Sequence, residues 1–528
     1  MPHGLDRSVD LPHHASLEAE TQASYRTLHK PSSAFPKRSD YLDHELQIMQ
    51  PRRYGLNLPG RDFRFEWEDL VPAIAGTIGI IAMYSAVMTS WAEGLNAQWA
   101  REGIDRALDV TAFAIEVSRV EMLIPALLFC VLASGFVNPR ANLAGNHGPM
   151  IPMIFAIAIA GAHPLALALL IGVFGLILSA AKGGSRLVNL TSRGVAGGLL
   201  VFLGFTGSMS QINALIAWSN GLANPASGIT AGDMGYVALI VLGVTVILYA
   251  LLAKFEKRWL AIPLCAVTGL AIALVLGAGF SITFATQPGL PNLNPVYWWG
   301  SEDQGWMLGL PTLQHFIASL PFAILAVAMW PPDFLGHRIF QEMNYPKGTD
   351  RVLMDVDDTM TMCSVRQMVG TAVGGGNITS SWGTYMIPAA IAKRPIPAGA
   401  ILLGSLVMLI ALLGFPMDVA VWPPVMRVAL LVGVALPLLE AGVRMISEDK
   451  DAKAAGICVF AAMVTNPVLA WAATMLLDNN GLIGDKDRPK QLNLTDRLII
   501  PSVVLAVCLA AMLAVGMLED KFGIPALF

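Results

Sequence analysis

Fourteen apolar runs, each about the length of a membrane crossing, alternate with short polar connections along the chain. They fall at 68–92, 119–137, 147–163, 164–181, 191–217, 234–253 and 258–282, then at 316–339, 357–373, 380–394, 396–415, 418–444, 455–477 and 496–518. Seven precede a long polar loop at 283–312 and seven follow it. Two runs are interrupted where they open. Asn142-Leu143-Ala144-Gly145-Asn146-His147-Gly148-Pro149 leads into the third, and Gly374-Gly375-Gly376-Asn377-Ile378-Thr379-Ser380-Ser381-Trp382-Gly383 leads into the tenth. The two echo each other, His147-Gly148 with Met150-Ile151-Pro152 against Trp382-Gly383 with Met386-Ile387-Pro388, allowing a one-residue gap. In hydrocarbon an unpaired backbone N–H or C=O costs several kcal/mol, so broken backbone survives only where protein or a watery cavity surrounds it. Paired interruptions in corresponding halves are the sequence mark of a secondary transporter's binding site.

Composition agrees. The 528 residues are 55% hydrophobic and 14% charged, with a mean hydropathy of +0.59. A soluble domain carries about 25% charged residues, so the chain reads as an all-α polytopic membrane protein. A formal net charge of −4 and the absence of a Lys/Arg-rich tract give no footing for a nucleic-acid partner; membrane lipid is the expected surroundings. The five cysteines (Cys130, Cys265, Cys363, Cys458, Cys508) have no metal-ligand spacing and read as reduced, packed thiols.

Basic residues set the orientation. With the N-terminus inside, Arg140, Lys182, Arg186, Lys254, Lys257, Lys347, Arg351, Lys393, Arg394 and Lys450 all fall in cytoplasmic loops, whereas 218–233, 283–312 and 414–418, placed outside, contain no Lys or Arg. Mixed charge at 93–118 and 478–495 breaks the pattern; 93–118 reads as an amphipathic external helix. Seven spans per half start the second half from the opposite face, which makes the halves inverted repeats. The expected organisation is a partly disordered cytoplasmic tail at 1–66, with some helix around Tyr41–Gln50, a first repeat at 67–282, an extracytoplasmic loop at 283–312, a second repeat at 313–520 and a short tail at 521–528. Both termini are then cytoplasmic, in a bacterial inner membrane.

Three further signals carry a resemblance over about 67–520. They are the polar lead-ins to the third and tenth spans, Arg186-Leu187-Val188 followed by Gly194-Val195-Ala196-Gly197-Gly198 at the fifth span, and Asp355-Val356-Asp357-Asp358-Thr359 before the ninth. In these the chain resembles the superfamily of the uracil permease UraA, the nucleobase/ascorbate transporters and the SulP anion transporters. The resemblance implies a core domain of spans 1–4 and 8–11, a gate domain of spans 5–7 and 12–14, a homodimer through the gates, and a substrate held where the third and tenth helices aim their N-termini at each other. It also implies an acidic residue on the eighth span, for which Asp333 in Trp330-Pro331-Pro332-Asp333-Phe334 is the match. Two departures matter. Nucleobase members usually carry an acidic residue in the tenth-span motif, and Thr379 to Ile391 contains none. SulP members usually continue into a cytoplasmic regulatory domain, and here the sequence stops about ten residues after the last span.

Two helix N-termini each contribute roughly half a positive charge and free N–H donors, which suits a small oxyanion. The candidate substrate residues are Asn146, His147 and Gly148 with Thr379, Ser380, Ser381 and Trp382; the alternative is that they only satisfy broken backbone. Asp333 is the candidate site for Na⁺ or H⁺ coupling, its alternative a pairing with His337 or Arg338 near the inner interface. Arg366 could neutralise Asp357, Asp358 or an anionic substrate, and Glu440 and Arg427 read as paired within the gate. The expected activity is secondary transport of a sulfate-, bicarbonate- or carboxylate-type anion, without a cofactor other than Na⁺. A nucleobase–proton symporter is the second reading, and a sensor or channel the reading from another class. Asp355-Val356-Asp357-Asp358-Thr359 also matches the phosphatase pattern DxDxT, but that chemistry needs a soluble domain of over ~100 residues to position its aspartate, so no enzyme is expected.

Overall fold

A computed structural model describes residues 34–143, 154–221, 235–278, 288–300, 305–374, 383–414, 423–514 and 523. Among them there is no β-strand. Eight helices are long and apolar enough to cross a membrane singly, nine if a pair bent by 72° counts as one span. The protein is an integral membrane protein built of helices, as hydrocarbon demands of any backbone that must satisfy its own polar groups.

A cap precedes the spans: α1 (Arg38–Ile48) and an irregular strap to residue 69. Then come α2 (Leu70–Arg101), α3 (Val110–Val137, with π-helical hydrogen bonding from Ala126), α4 (Ile154–Ile159), α5 (Pro164–Ala180), the bent-off α6 (Gly183–Leu190), α7 (Arg193–Gly221), α8 (Gly235–Lys254) and α9 (Ala261–Val275). A short α10 (Pro295–Trp299) lies in the central loop. The second half holds α11 (Leu313–Asn344), α12 (Val356–Val373), α13 (Gly383–Ile391) and α14 (Ile396–Leu413). It continues with α15 (Pro423–Leu430, running through Leu431–Ala435 into Leu436–Met445), α16 (Asp449–Val464), α17 (Pro467–Asn479) and α18 (Thr495–Ala514).

The packing follows an inverted repeat. The contact of α12 with α5 has its mate in α14 with α3; α2 with α4 matches α11 with α13; α9 with α8 matches α17 with α16. The repeats therefore run from α2 to α9 and from α11 to α17. Helices α2–α5 and α11–α14 form one body, and α7–α9 with α15–α17 the other. At the centre of the second body α7 and α15 touch backbone to backbone: a Cβ on Gly204 would lie 2.4 Å from the Leu439 nitrogen, and one on Gly442 2.6 Å from that of Val201. Such close approach is how helices associate where no hydrophobic effect draws them together.

Three expectations change. Residues 93–118 form no external helix: α2 runs on to Arg101 and α3 starts at Val110, where Asp109 accepts from the Ala112 N–H (2.9 Å). Charged residues here sit in a tight turn clamped by Asn96, whose side chain bonds both the N–H and the C=O of Leu108. The tail is not simply polar chain, since residues 34–69 fold onto the membrane domain, with the helix slightly earlier than expected.

The third change concerns the run at 455–477, which is two helices. Proline at 467 has no N–H and disfavours helix in the residue before it. Asn466 is accordingly extended (φ −157°, ψ 167°) and caps α17 by accepting from the Val468 and Leu469 N–H groups. Helices α16 and α17, about 24 and 20 Å long at 1.5 Å per residue, pair as the mates of α8 and α9, and α18 lies outside the repeat. Residues 480–494 consequently return to the face that carries the cap. There Arg488 donates to the Leu190 carbonyl (2.7 Å), Lys450 pairs with Asp485 (3.3 Å) and Arg186 pairs with Asp496 (2.8 Å). The mixed-charge loop that broke the basic-residue pattern thus lies with the other basic loops. From Arg497, beside Asn480, α18 climbs to Met512, beside Asn466, away from the cap face.

Candidate functional site: the third and tenth helices and their supports

The described parts of the third and tenth spans, α4 and α13, are six and nine residues long, and each is preceded directly by residues outside the described ones. Helix α4 ends in a turn at Gly161 that delivers His163 to the face away from the cap (the distal face), where its Nε2 meets the Leu308 and Gly309 carbonyls at 3.2 and 3.1 Å. Helix α13 ends on the cap face, where Arg394 is buried among cap carboxylates. The two therefore end on opposite faces. Helix α2 packs against both and α11 against α13. The contact of α2 with the first turn of α13 depends on Gly79, since a Cβ there would fall 2.2 Å from Thr384 Oγ1.

The stretches that feed these helices, 144–153 and 375–382, lie outside the described residues, and with them Asn146, His147, Gly148, Thr379, Ser380, Ser381 and Trp382. Their flanks are described. The Asn142 N–H donates to Thr359 Oγ1 (3.0 Å), and its side-chain amide lies 3.3 Å from His337 Nδ1. Gly374, the last described residue before the tenth-span lead-in, packs against Val120 of α3. Each lead-in is thus anchored at its start to the other repeat or to α11.

Asp333 follows Pro331-Pro332 in α11. Without their N–H groups the carbonyls of Val327 and Ala328 lose their helical donors. Asp333 shares a helix face with Gly336 and His337, three and four residues on. Gly336 lies against Leu200 of α7, and His337 against Asn142. The aspartate therefore sits one turn deeper on the face between the third-span lead-in and the second body. Of the two residues weighed as its partners, Arg338 pairs with Glu342 (2.8 Å) and His337 Nδ1 lies beside the Asn142 amide.

Arg366 is not close-paired as expected with Asp357 or Asp358. Asp358 accepts instead from Arg53, Tyr54 and Asn138, and Asp357 from the Ser185 N–H. Arg366 reaches Glu121 on α3 at 2.5 Å, both side chains shut off from solvent at 1% and 0% exposure, with the Tyr84 hydroxyl 3.4 Å away. A cavity of about 10 Å³, room for about one water, lies beside them between α2, α3, α12 and α14. The pairing was missed in the sequence, although its signal was a single carboxylate, Glu121, in an apolar run, matching a single arginine in another. Arg427 bonds Gln211 (3.2 Å), while Glu440 pairs with Arg258 and Arg444, as expected of gate charges.

At the cap face Arg394, fully buried, holds Glu45 at 2.6 Å and Asp69 at 3.0 Å. Burial pushes the Asp69 carboxyl up to about 6, against the pull of Arg394. On the distal face burial, with neighbouring His315, pulls His163 down to about 4. His163 Nδ1 accepts the Leu165 N–H (3.1 Å), so Nε2 carries the proton donated to the two carbonyls. Among the described residues no cluster of His, Cys, Asp or Glu could hold a metal ion.

Together these features define a helical membrane protein with two inverted repeats whose third and tenth helices, α4 and α13, end on opposite faces. The chain belongs to the family described as Protein of unknown function (DUF3360), which matches residues 16–528. No curated protein matches the sequence. Among solved structures it is similar to the transmembrane domain of a cyanobacterium bicarbonate transporter, BicA, at 16% identity over 77% of this chain and 96% of that one, with a TM-score of 0.41. It is also similar to SLC26A9, at 12% identity over 97% of this chain and 72% of that one, with a TM-score of 0.40.

Proposed function

We propose that the protein is a secondary active transporter of a small anion of sulfate, bicarbonate or carboxylate type, coupled to Na⁺ or H⁺ at Asp333. The observation that carries this reading is the inverted repeat, in which α4 and α13 run to opposite faces and each follows a Gly- and Asn-rich stretch of the sequence. Polar, glycine-rich sequence inside paired apolar runs marks a binding site. A helix starting within such a stretch directs free N–H groups and a positive dipole end at a bound anion. The hydroxyls and amide of the sequence just before α13 add donors that bind an oxyanion without a formal counter-charge, which favours release. Asp333 lies on the face of α11 that meets the second body, so a cation there experiences the boundary as the bodies move. Alternating access is movement of α2–α5 with α11–α14 against α7–α9 with α15–α17. The face with the cap is cytoplasmic in the orientation set by the basic loops.

The test is thermal stability of the detergent-solubilised protein against a panel of oxyanions and nucleobases, with Na⁺ or K⁺, at two pH values. A ligand bound only to the folded state raises stability by RT ln(1 + [L]/Kd), about 2.7 kcal/mol at a hundredfold excess over Kd. A shift with one oxyanion that requires Na⁺ and vanishes in D333N and S381W is the expected result. Undiminished binding in S381W would put the site elsewhere, and a shift with uracil or a purine alone would replace the anion by a nucleobase.

A further inference from the structure

The segment before the first span is too well engaged to be a passive tail. Its polar ties reach one of the two bodies. Lys393 pairs with Asp43 (2.6 Å), Arg53 and Tyr54 with Asp358, and Gln47 with the Lys347 carbonyl (3.3 Å). The Gly55 and Asn57 N–H groups donate to the Val137 and Phe136 carbonyls at the end of α3. Its apolar side chains do something else. Leu46, Met49 and Phe63 belong to one buried cluster with Ala390 of α13, Leu200 of α7 and Met445 of α15. The cap thus binds the first body by charge and fills the boundary between the two bodies with hydrocarbon.

Arg394 makes this arrangement two-state. Its guanidinium, just past the end of α13, is fully buried, and the carboxylates that hold it, Glu45 and Asp69, both come from the cap segment, as does the Arg64 carbonyl. Removing the partner of a buried charge is strongly destabilising, so a departing cap must be accompanied by entry of water at the end of α13. Water there means that the boundary has opened.

We propose that residues 38–69 are a latch that keeps the boundary between the two bodies shut at the cap face, fastened through Arg394 and more lightly through Lys393 and Asp358. The latch concerns closure and not what crosses, so it can be tested without a substrate. A cysteine placed by A390C, at a position with no solvent exposure, is labelled with a membrane-impermeant maleimide in vesicles that present the cap face; the parent, whose five cysteines are buried, is the blank. Loss of a charge-assisted hydrogen bond in E45Q should speed labelling of A390C about tenfold or more, with smaller increases in R53Q and K393Q, whose ties are partly exposed. Labelling of folded E45Q no faster than that of its parent would overturn the proposal. Should E45Q fail to fold, the R53Q/K393Q double variant decides by the same criterion.

Discussion

Replacing Arg366 by methionine should strand the Glu121 carboxylate in an apolar interior. The pair is 2.5 Å apart with side chains at 1% and 0% exposure, and its surroundings are Ile80, Met122, Pro125, Ala126 and Val407. Truncating one member of such a pair costs about 3–5 kcal/mol, whereas replacing both by apolar residues of similar volume is often neutral or stabilising. R366M and E121L should therefore each lose about 3–5 kcal/mol, and the double variant R366M/E121L should recover most of it. A chain with two bodies need not unfold in one step, so the quantity to measure is the free energy of the first transition in SDS titration from mixed micelles, taken through all four corners of the cycle. The coupling energy isolates the pair from the lost packing of each side chain. The same structure predicts that the pair is a strut rather than part of the moving boundary. Helices α3 and α12 occupy equivalent places in the two repeats and lie within one body, so nothing need separate them during movement of one body against the other. Single losses below about 1 kcal/mol, or a double variant that loses the sum of the two, would refute this account of the buried charges.

Two other expectations follow from the ends of the spans. His163, in the turn between α4 and α5, has its pKa lowered from 6.5 to about 4, first by burial; the folded state therefore binds fewer protons than the unfolded one. Its contribution is fully present above about pH 6.5 and is lost as pH falls through about 4, a loss of about 3 kcal/mol, so H163Q should show a flatter stability profile between those values, and an unchanged slope would remove His163 as the titrating group. A cysteine introduced by L513C should be labelled from the distal side of the membrane, and one introduced by D485C from the cap side. Labelling of both from one side would mean that α18 does not cross.

How much of this was legible in the sequence depended on whether the deciding interaction was local. Glycine, asparagine and proline act within a turn of where they stand. The start of α5 was accordingly written in His163-Pro164, a capping side chain followed by proline at the first helical position. Asn466-Pro467 says the same thing, yet an apolar count over 455–477 hides it, because hydropathy sums side chains and cannot register a cap. That one omission carried the loop at 478–495 and the end of α18 to the wrong face, even though the basic residues of that loop were already in conflict with the assignment. The cap and the strut were beyond local reading altogether. Arg394 lies 349 residues from Glu45 and Arg366 245 from Glu121, and a polar tail has the same composition whether it is solvated or docked. What could have been noticed is stoichiometric: a carboxylate inside one apolar run must be neutralised by something, and Arg366, a lone base inside another, was the available answer. Where charge is that scarce, counting unmatched signs across the whole chain constrains the packing of helices that no periodicity connects.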